Sequence, residues 1–205
     1  CERLGDIYQK QGYLDKALKF FELRSQLGKE LADANPHSQA LKDGLAISYE
    51  RLGDIYQQQG DFNKALQFFE RRSQLTKELA DANPHSETLK YGLAVSYLKL
   101  GDIHQRQGDF NKALKFFEMQ TDLFRELADA NPHSEALKNG LAISYSKLAE
   151  IFQQQGDFGK ALQFFERRSQ LGKELADANP HSEELKNGLA ISYEKLGGIY
   201  QKQGD

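Results

Sequence analysis

Tryptophan is absent, methionine and cysteine occur once each, and only four prolines interrupt the 205 residues. A lone cysteine, Cys1, builds neither an intrachain disulfide framework nor a thiolate metal cluster, and it fits a reducing compartment. No apolar run approaches the roughly 18 residues of a membrane span, and the first residues carry no signal-peptide pattern. A cytoplasmic location is therefore expected, with no membrane partner. The 27 basic and 30 acidic residues leave a net charge of −3 without a run of one sign. That balance argues against nucleic acid as a partner.

The four prolines are not scattered. Each lies in the same nine letters, ELADANPHS, beginning at Glu30, Glu78, Glu126 and Glu174. A fixed period is the mark of stacked copies of one supersecondary unit. Cutting after each Asn-Pro yields complete units at 37–84, 85–132 and 133–180, flanked by partial units at 1–36 and 181–205. The first and third complete units agree at 39 of 48 positions. Partial units at both ends lead us to expect a piece of a larger protein.

Each unit reads as two helices. Leu41, Leu45, Ser48, Tyr49, Leu52 and Tyr56 step by three and four, the spacing of one helical face. Gly60 ends this helix, and Asp61 is positioned to cap the next. The second helix carries Phe62, Ala65, Leu66, Phe69, Leu75 and Leu79 on another apolar stripe. Asn83 and Pro84 stop it, because the residue before a proline disfavours helical geometry while proline itself suits a first turn.

The Leu52-Gly53, Tyr56, Ala65 and Phe69 pattern resembles the tetratricopeptide repeat, with Tyr49 at the usual tryptophan position and Pro84 as the closing proline. It recurs at Leu100, Gly101, Ala113 and Phe117, and at Leu148, Ala161 and Phe165, where Ala149 replaces the glycine. The departure is length: an ordinary repeat has about 34 residues, whereas this one has 48. The excess divides into seven residues at the start of the first helix and seven at the end of the second. Seven residues are nearly two turns, about 10 Å, so each addition keeps its stripe in phase. Leu41, Leu45, Leu75 and Leu79 are expected to form the added core layer. The resemblance implies an all-α, right-handed superhelical solenoid of antiparallel helix pairs, longer than ordinary ones and counting nine helical segments. It also implies a role in recognition or scaffolding, as in long bacterial arrays.

Few side chains invite a chemical reading. His37, His85, His133 and His181 recur one per unit at the turns, without the converging ligands a metal needs. His104 replaces Tyr56 and Phe152 at an aromatic core position and reads as a packed histidine. Ser48, Ser96, Ser144 and Ser192 lie four residues after a glycine and read as helix packing, not as nucleophiles. No cofactor, metal site or catalytic group is expected.

Differences between units are more telling. In the first helix they concentrate at Ala40/Thr88/Ala136/Glu184, Asp43/Tyr91/Asn139/Asn187, Glu50/Leu98/Ser146/Glu194 and Asp54/Asp102/Glu150/Gly198. These positions share a helix face apart from the apolar stripe. In the resembling family that face is concave, which makes Asp43, Glu50, Asp54, Tyr91, Leu98, Asp102, Asn139, Ser146, Glu150, Asn187 and Glu194 the candidate partner-binding residues. Asp54, Asp102 and Glu150 suggest a basic, partly apolar protein or peptide, with Leu98 as an apolar break. So acidic a face disfavours the family's clamp for a peptide C-terminal carboxylate. Arg51 with Asp54, Lys99 with Asp102, and Lys147 with Glu150 are spaced to pair along their own helices. The middle unit, with Tyr91, Leu98, Met119 and Phe124, is the most apolar and suggests a contact surface. The leading expectation is a non-enzymatic scaffold, and the alternative a spacer or weakly self-associating module stacking end to end.

Phase yields the first test. Two residues inserted between Leu41 and Leu45 rotate the stripe by about 200°, whereas seven nearly restore it. The two-residue insertion should lower the thermal midpoint far more than a seven-residue insertion matched in both helices of the unit, and equal midpoints would contradict the phasing.

Overall fold

The structure, a computed structural model, describes residues 2–203. Among these residues there are nine α-helices and no strand: α1 (Glu2–Lys10), α2 (Leu14–Ala34), α3 (Gln39–Gln58), α4 (Phe62–Ala82), α5 (Glu87–Arg106), α6 (Phe110–Ala130), α7 (Glu135–Gln154), α8 (Phe158–Ala178) and α9 (Glu183–Gln203). The full-length hairpin helices have 20 or 21 residues, close to 30 Å at about 1.5 Å per residue. The extra turns inferred from the 48-residue period are present.

Local chemistry sets the helix ends. Ser38, Ser86 and Ser134 cap α3, α5 and α7, each hydroxyl accepting from the backbone N–H three residues on. Asp61, Asp109 and Asp157 do the same for α4, α6 and α8. Between the helices of one hairpin, Gly60 adopts φ +80°, a left-handed turn that side chains resist. At the other end Asn83 donates its amide to Leu79 O at 3.0 Å, and the Pro84–His85 turn leads to the serine cap. The serine caps had no part in the sequence reading, which stopped at the proline.

Helix contacts divide the chain into two compact units, Cys1–Gln107 and Gly108–Asp205. In the first unit α1 to α5 pack in chain order, each on the next. Phe21 is fully buried with Ala17, Leu52 and Ile55, and Phe69 is fully buried against Gly53, where an added methyl carbon would lie 2.7 Å from Phe69 Cδ1. Tyr56 stacks on Phe68 at 5.5 Å and 5°. Two turns away lies the added layer, Ala32, Leu45 and Tyr49 with Leu41, Phe68 and Leu75. Leu79 is buried as well.

In the second unit α6 packs on α7, α7 on α8 and α8 on α9. Its core gathers Ala149, Phe152, Ala161, Phe165 and Ile199, and Phe152 stacks on Phe164 at 5.7 Å and 4°. Phe124, expected from the sequence to add to an apolar contact surface, is instead 3% exposed. Its ring covers Gly140, where an added methyl carbon would fall 2.7 Å from Phe124 Cδ1.

Equivalent glycines thus do different things. A methyl carbon added at Gly44 would have no heavy atom within 4 Å, whereas Gly140 is covered by a ring. Gly44→Ala should raise stability by about 0.5–1 kcal/mol through helix propensity, and Gly140→Ala should lower it by about 1–3 kcal/mol through overpacking. Urea denaturation of both variants checks this, and shifts of the same sign would contradict it.

Candidate functional site: the first-helix face

The variable stripe separates by exposure into two classes. Asp43, Tyr91, Asn139, Asn187 and Glu194 are exposed, whereas Glu50, Asp54, Leu98, Asp102, Ser146 and Glu150 are half-buried. The half-buried positions lie deep enough to take part in helix packing. Ser146 turns its hydroxyl onto Ala142 O of its own helix at 3.2 Å.

The carboxylates are tied across helices. Lys99 Nζ of α5 donates to Asp54 Oδ1 of α3 at 2.7 Å and lies 4.0 Å from Glu50. Arg51 approaches Asp6 of α1 at 4.0 Å. In the second unit Lys195 of α9 stands 3.8 Å from Glu150 of α7. The expected pairing of Arg51 with Asp54 along one helix is therefore corrected. Arg51, Asp54 and Glu150 each find a partner one repeat away. An exposed pair three residues apart contributes only about 0.2–0.5 kcal/mol, and a pair in a partly desolvated seam is screened less.

A second-helix arginine completes the seam. Arg72 of α4 is buried, with its Nε 3.0 Å from Glu50 Oε2, and its Nη1 is buried without a hydrogen-bond acceptor. Burial pulls this guanidinium below its ordinary pKa, opposed by Glu50, Asp54 and Asp43. In the second unit Arg168 of α8 donates to Gly188 O at 3.2 Å and to Ser192 Oγ of α9. Burial also lowers the Arg168 pKa, with Glu150 opposing. Neither arginine was among the sequence candidates. The signal was available, because Ala65, Phe69, Arg72, Thr76 and Leu79 step by three and four and place Arg72 on the buried stripe.

The remaining polar groups serve packing. Ser48 donates to Gly44 O at 2.9 Å, and Thr76 and Ser96 link α4 to α5 at 3.0 Å. His104 is 6% exposed within the core. His37, His85, His133 and His181 are exposed in their turns. Among the described residues no group of three metal-ligating side chains converges, and no helix is long and apolar enough to cross a membrane.

Comparison with known proteins agrees with this geometry. Family models described as tetratricopeptide repeat match residues 1–34, 48–82 and 92–174, and the chain belongs to the tetratricopeptide repeat family. The structure is similar to that of BtubC from P. vanneervenii, with TM-score 0.68 and 22% identity over 94% of this chain and 67% of that one. It is also similar to the nearly identical TPR-like repeats of a Podosopora anserina protein described as a putative kinesin light chain, with TM-score 0.67 and 18% identity over 99% and 85% of the two chains. The yeast histone chaperone Hif1, described as a scaffold protein, aligns with TM-score 0.62 and 12% identity over 98% and 94%. A search of curated protein sequences found no match. At these identities the structural likeness shows the fold, and the repeats define a protein-interaction scaffold in general terms.

The ion pairs generate a double-mutant test. Asp54→Lys should lower the thermal midpoint, and adding Lys99→Asp should recover most of the loss, with a coupling of about 1 kcal/mol for a pair this exposed. Additive effects of the two substitutions would contradict a direct pair.

Proposed function

We propose that the chain is a non-enzymatic scaffold that holds a protein or peptide segment on the faces of its first helices, α3 and α5 in one unit and α7 and α9 in the other. The observation that carries this reading is where near-identical repeats differ. Asp43, Tyr91, Asn139 and Asn187 occupy one equivalent, exposed position and change in charge and shape. Change is not confined to that face: on the second helix Glu22, Glu70, Glu118 and Glu166 are identical, as are Asp33, Asp81, Asp129 and Asp177, whereas the equally exposed Lys19, Gln67, Lys115 and Gln163 exchange lysine for glutamine. Surface substitutions cost little, so the reading rests on the exchange of aspartate, tyrosine and asparagine at the one exposed first-helix position.

Asp54 and Glu150 spend much of their charge on neighbouring helices, so the partner meets other groups first. Asp43 and Glu194 supply exposed negative charge, and Tyr91, 40% exposed, supplies an anchor ring. A basic, partly apolar segment fits this combination, with charge steering approach and the ring supplying affinity.

Peptides selected by display against the chain test the reading. Tyr91→Ala should weaken a selected peptide by about tenfold or more, the loss typical of an interface anchor. Asp43→Lys and added salt should weaken it in the same direction. Arg71→Ala, on the exposed side of α4, should leave binding unchanged. Binding that ignores the first two substitutions, or that falls with Arg71→Ala, would contradict the proposal. Concentration-dependent self-association without any peptide would favour a spacer or assembly role instead.

A further inference from the structure

One level of the fold is lined by glycine in the outer hairpin-to-hairpin contacts and filled by larger side chains in the two between them. The equivalent second-helix residues Gly28, Thr76, Phe124 and Gly172 face the following first helix. Gly28 lies against Leu45, and Thr76 meets Ser96 through a hydrogen bond. Between α6 and α7 the Phe124 ring fills the level and covers Gly140. Between α8 and α9 both facing positions are glycine, Gly172 and Gly188, as Gly28 and Gly44 are between α2 and α3, and a cavity of about 170 Å³ lies there beside α7. A cavity of about 150 Å³ holds benzene, so this more polar space is large enough for one aromatic ring.

The lining names the ring's surroundings. Leu189 borders the cavity, and a methyl carbon placed on Gly172 would lie 3.7 Å from its Cδ1, an ordinary contact. Arg168 borders it as well, donating to Gly188 O at 3.2 Å and approaching Ser192 Oγ. A planar guanidinium is a group on which an aromatic ring can stack. The exposed lining residues Glu135, Asn139 and Glu184 place two carboxylates at the opening. Glu135 Oε2 also accepts from Asn179 Nδ2 at 3.2 Å.

We propose that this cavity receives a phenylalanine side chain of a basic partner segment, in the way Phe124 occupies the equivalent level one hairpin earlier. The assignment rests on the first-helix face being the partner surface, and it names the residue that the α7–α9 part of that face selects. The opening's carboxylates attract lysine or arginine flanking the ring, and the aromatic body gains contact with Leu175, Leu185 and Leu189.

Two peptides make the test: acetyl-Lys-Lys-Phe-Lys-Lys-amide, and the same peptide with Ala in place of Phe. Isothermal titration of the 205-residue chain should show the Phe peptide binding about tenfold tighter or more, as expected for burial of an anchor side chain. Gly172→Phe, which fills the cavity from within, should abolish that preference while leaving Ala-peptide binding unchanged. Gly172→Leu serves as a second filled variant, and circular dichroism checks that both fold. On the unmodified chain, nuclear Overhauser contacts between the peptide ring and the Leu189 methyls should appear without any substitution. Equal binding of the two peptides, a Phe preference that survives a folded Gly172 variant, or no binding of either peptide overturns the cavity assignment. A dimer of the peptide-free chain that dissociates on Gly172→Phe also overturns it, because the occupant is then a second copy. Loss of the Phe preference alone leaves the wider face to stand or fall on Asp43 and Tyr91.

Discussion

Everything in this structure hangs on how closely two helices of one hairpin approach, and a phenylalanine ring set on a residue with little or no side chain decides that. Phe69 on Gly53 is the clearest case, fully buried at a point where even one methyl group intrudes. Phe21 sits on Gly5 in the same manner, with Phe21 Cζ 2.9 Å from a methyl carbon placed there. Beside the seated ring lies the stacked pair Tyr56 and Phe68. The lengthened ends pack together through Leu41, Leu45 and Leu75. Seven residues per helix prolong the contact by a near-integral number of turns, so the second layer continues the first without a change of face.

With the apolar faces used for packing, the polar seam between successive first helices takes on a different task. Lys99 holds Asp54, Arg72 rises from the second helix to Glu50, and Lys195 approaches Glu150. A charge that is partly buried must be matched, and a mismatch costs more than the match returns. The lysine pairs link one hairpin to the next within each unit. In the proposed reading the deeper carboxylates are occupied by neighbouring helices, and the exposed residues Asp43, Tyr91, Asn139 and Asn187 are left to meet a partner.

The sequence announced the helices, their lengths and most of their ends, because periodicity, glycine turns and aspartate caps act within a few residues of one another. It announced the added leucine layer for the same reason. Contacts a whole repeat apart were less legible. Arg51 and Asp54 satisfy the spacing rule for a pair along one helix, and nothing in a linear string says that Asp6 and Lys99 lie opposite them. Phe124 read as surface because its counterparts are Gly28, Thr76 and Gly172, small residues that do not mark a core position, whereas the fold leaves a ring-sized space there. Arg72 went unread because a charged residue on an apolar stripe is discounted until the carboxylate that meets it is known.

The central claim is that partners dock on the exposed first-helix positions. Hydroxyl-radical footprinting of the chain, alone and saturated with a display-selected peptide, measures this directly, since aromatic side chains report their own solvent exposure. Protection of Tyr91 on binding, with the exposed second-helix residues Leu23 and Leu27 unchanged, is the predicted result. Protection of Leu23 and Leu27 with Tyr91 still fully reactive would contradict it.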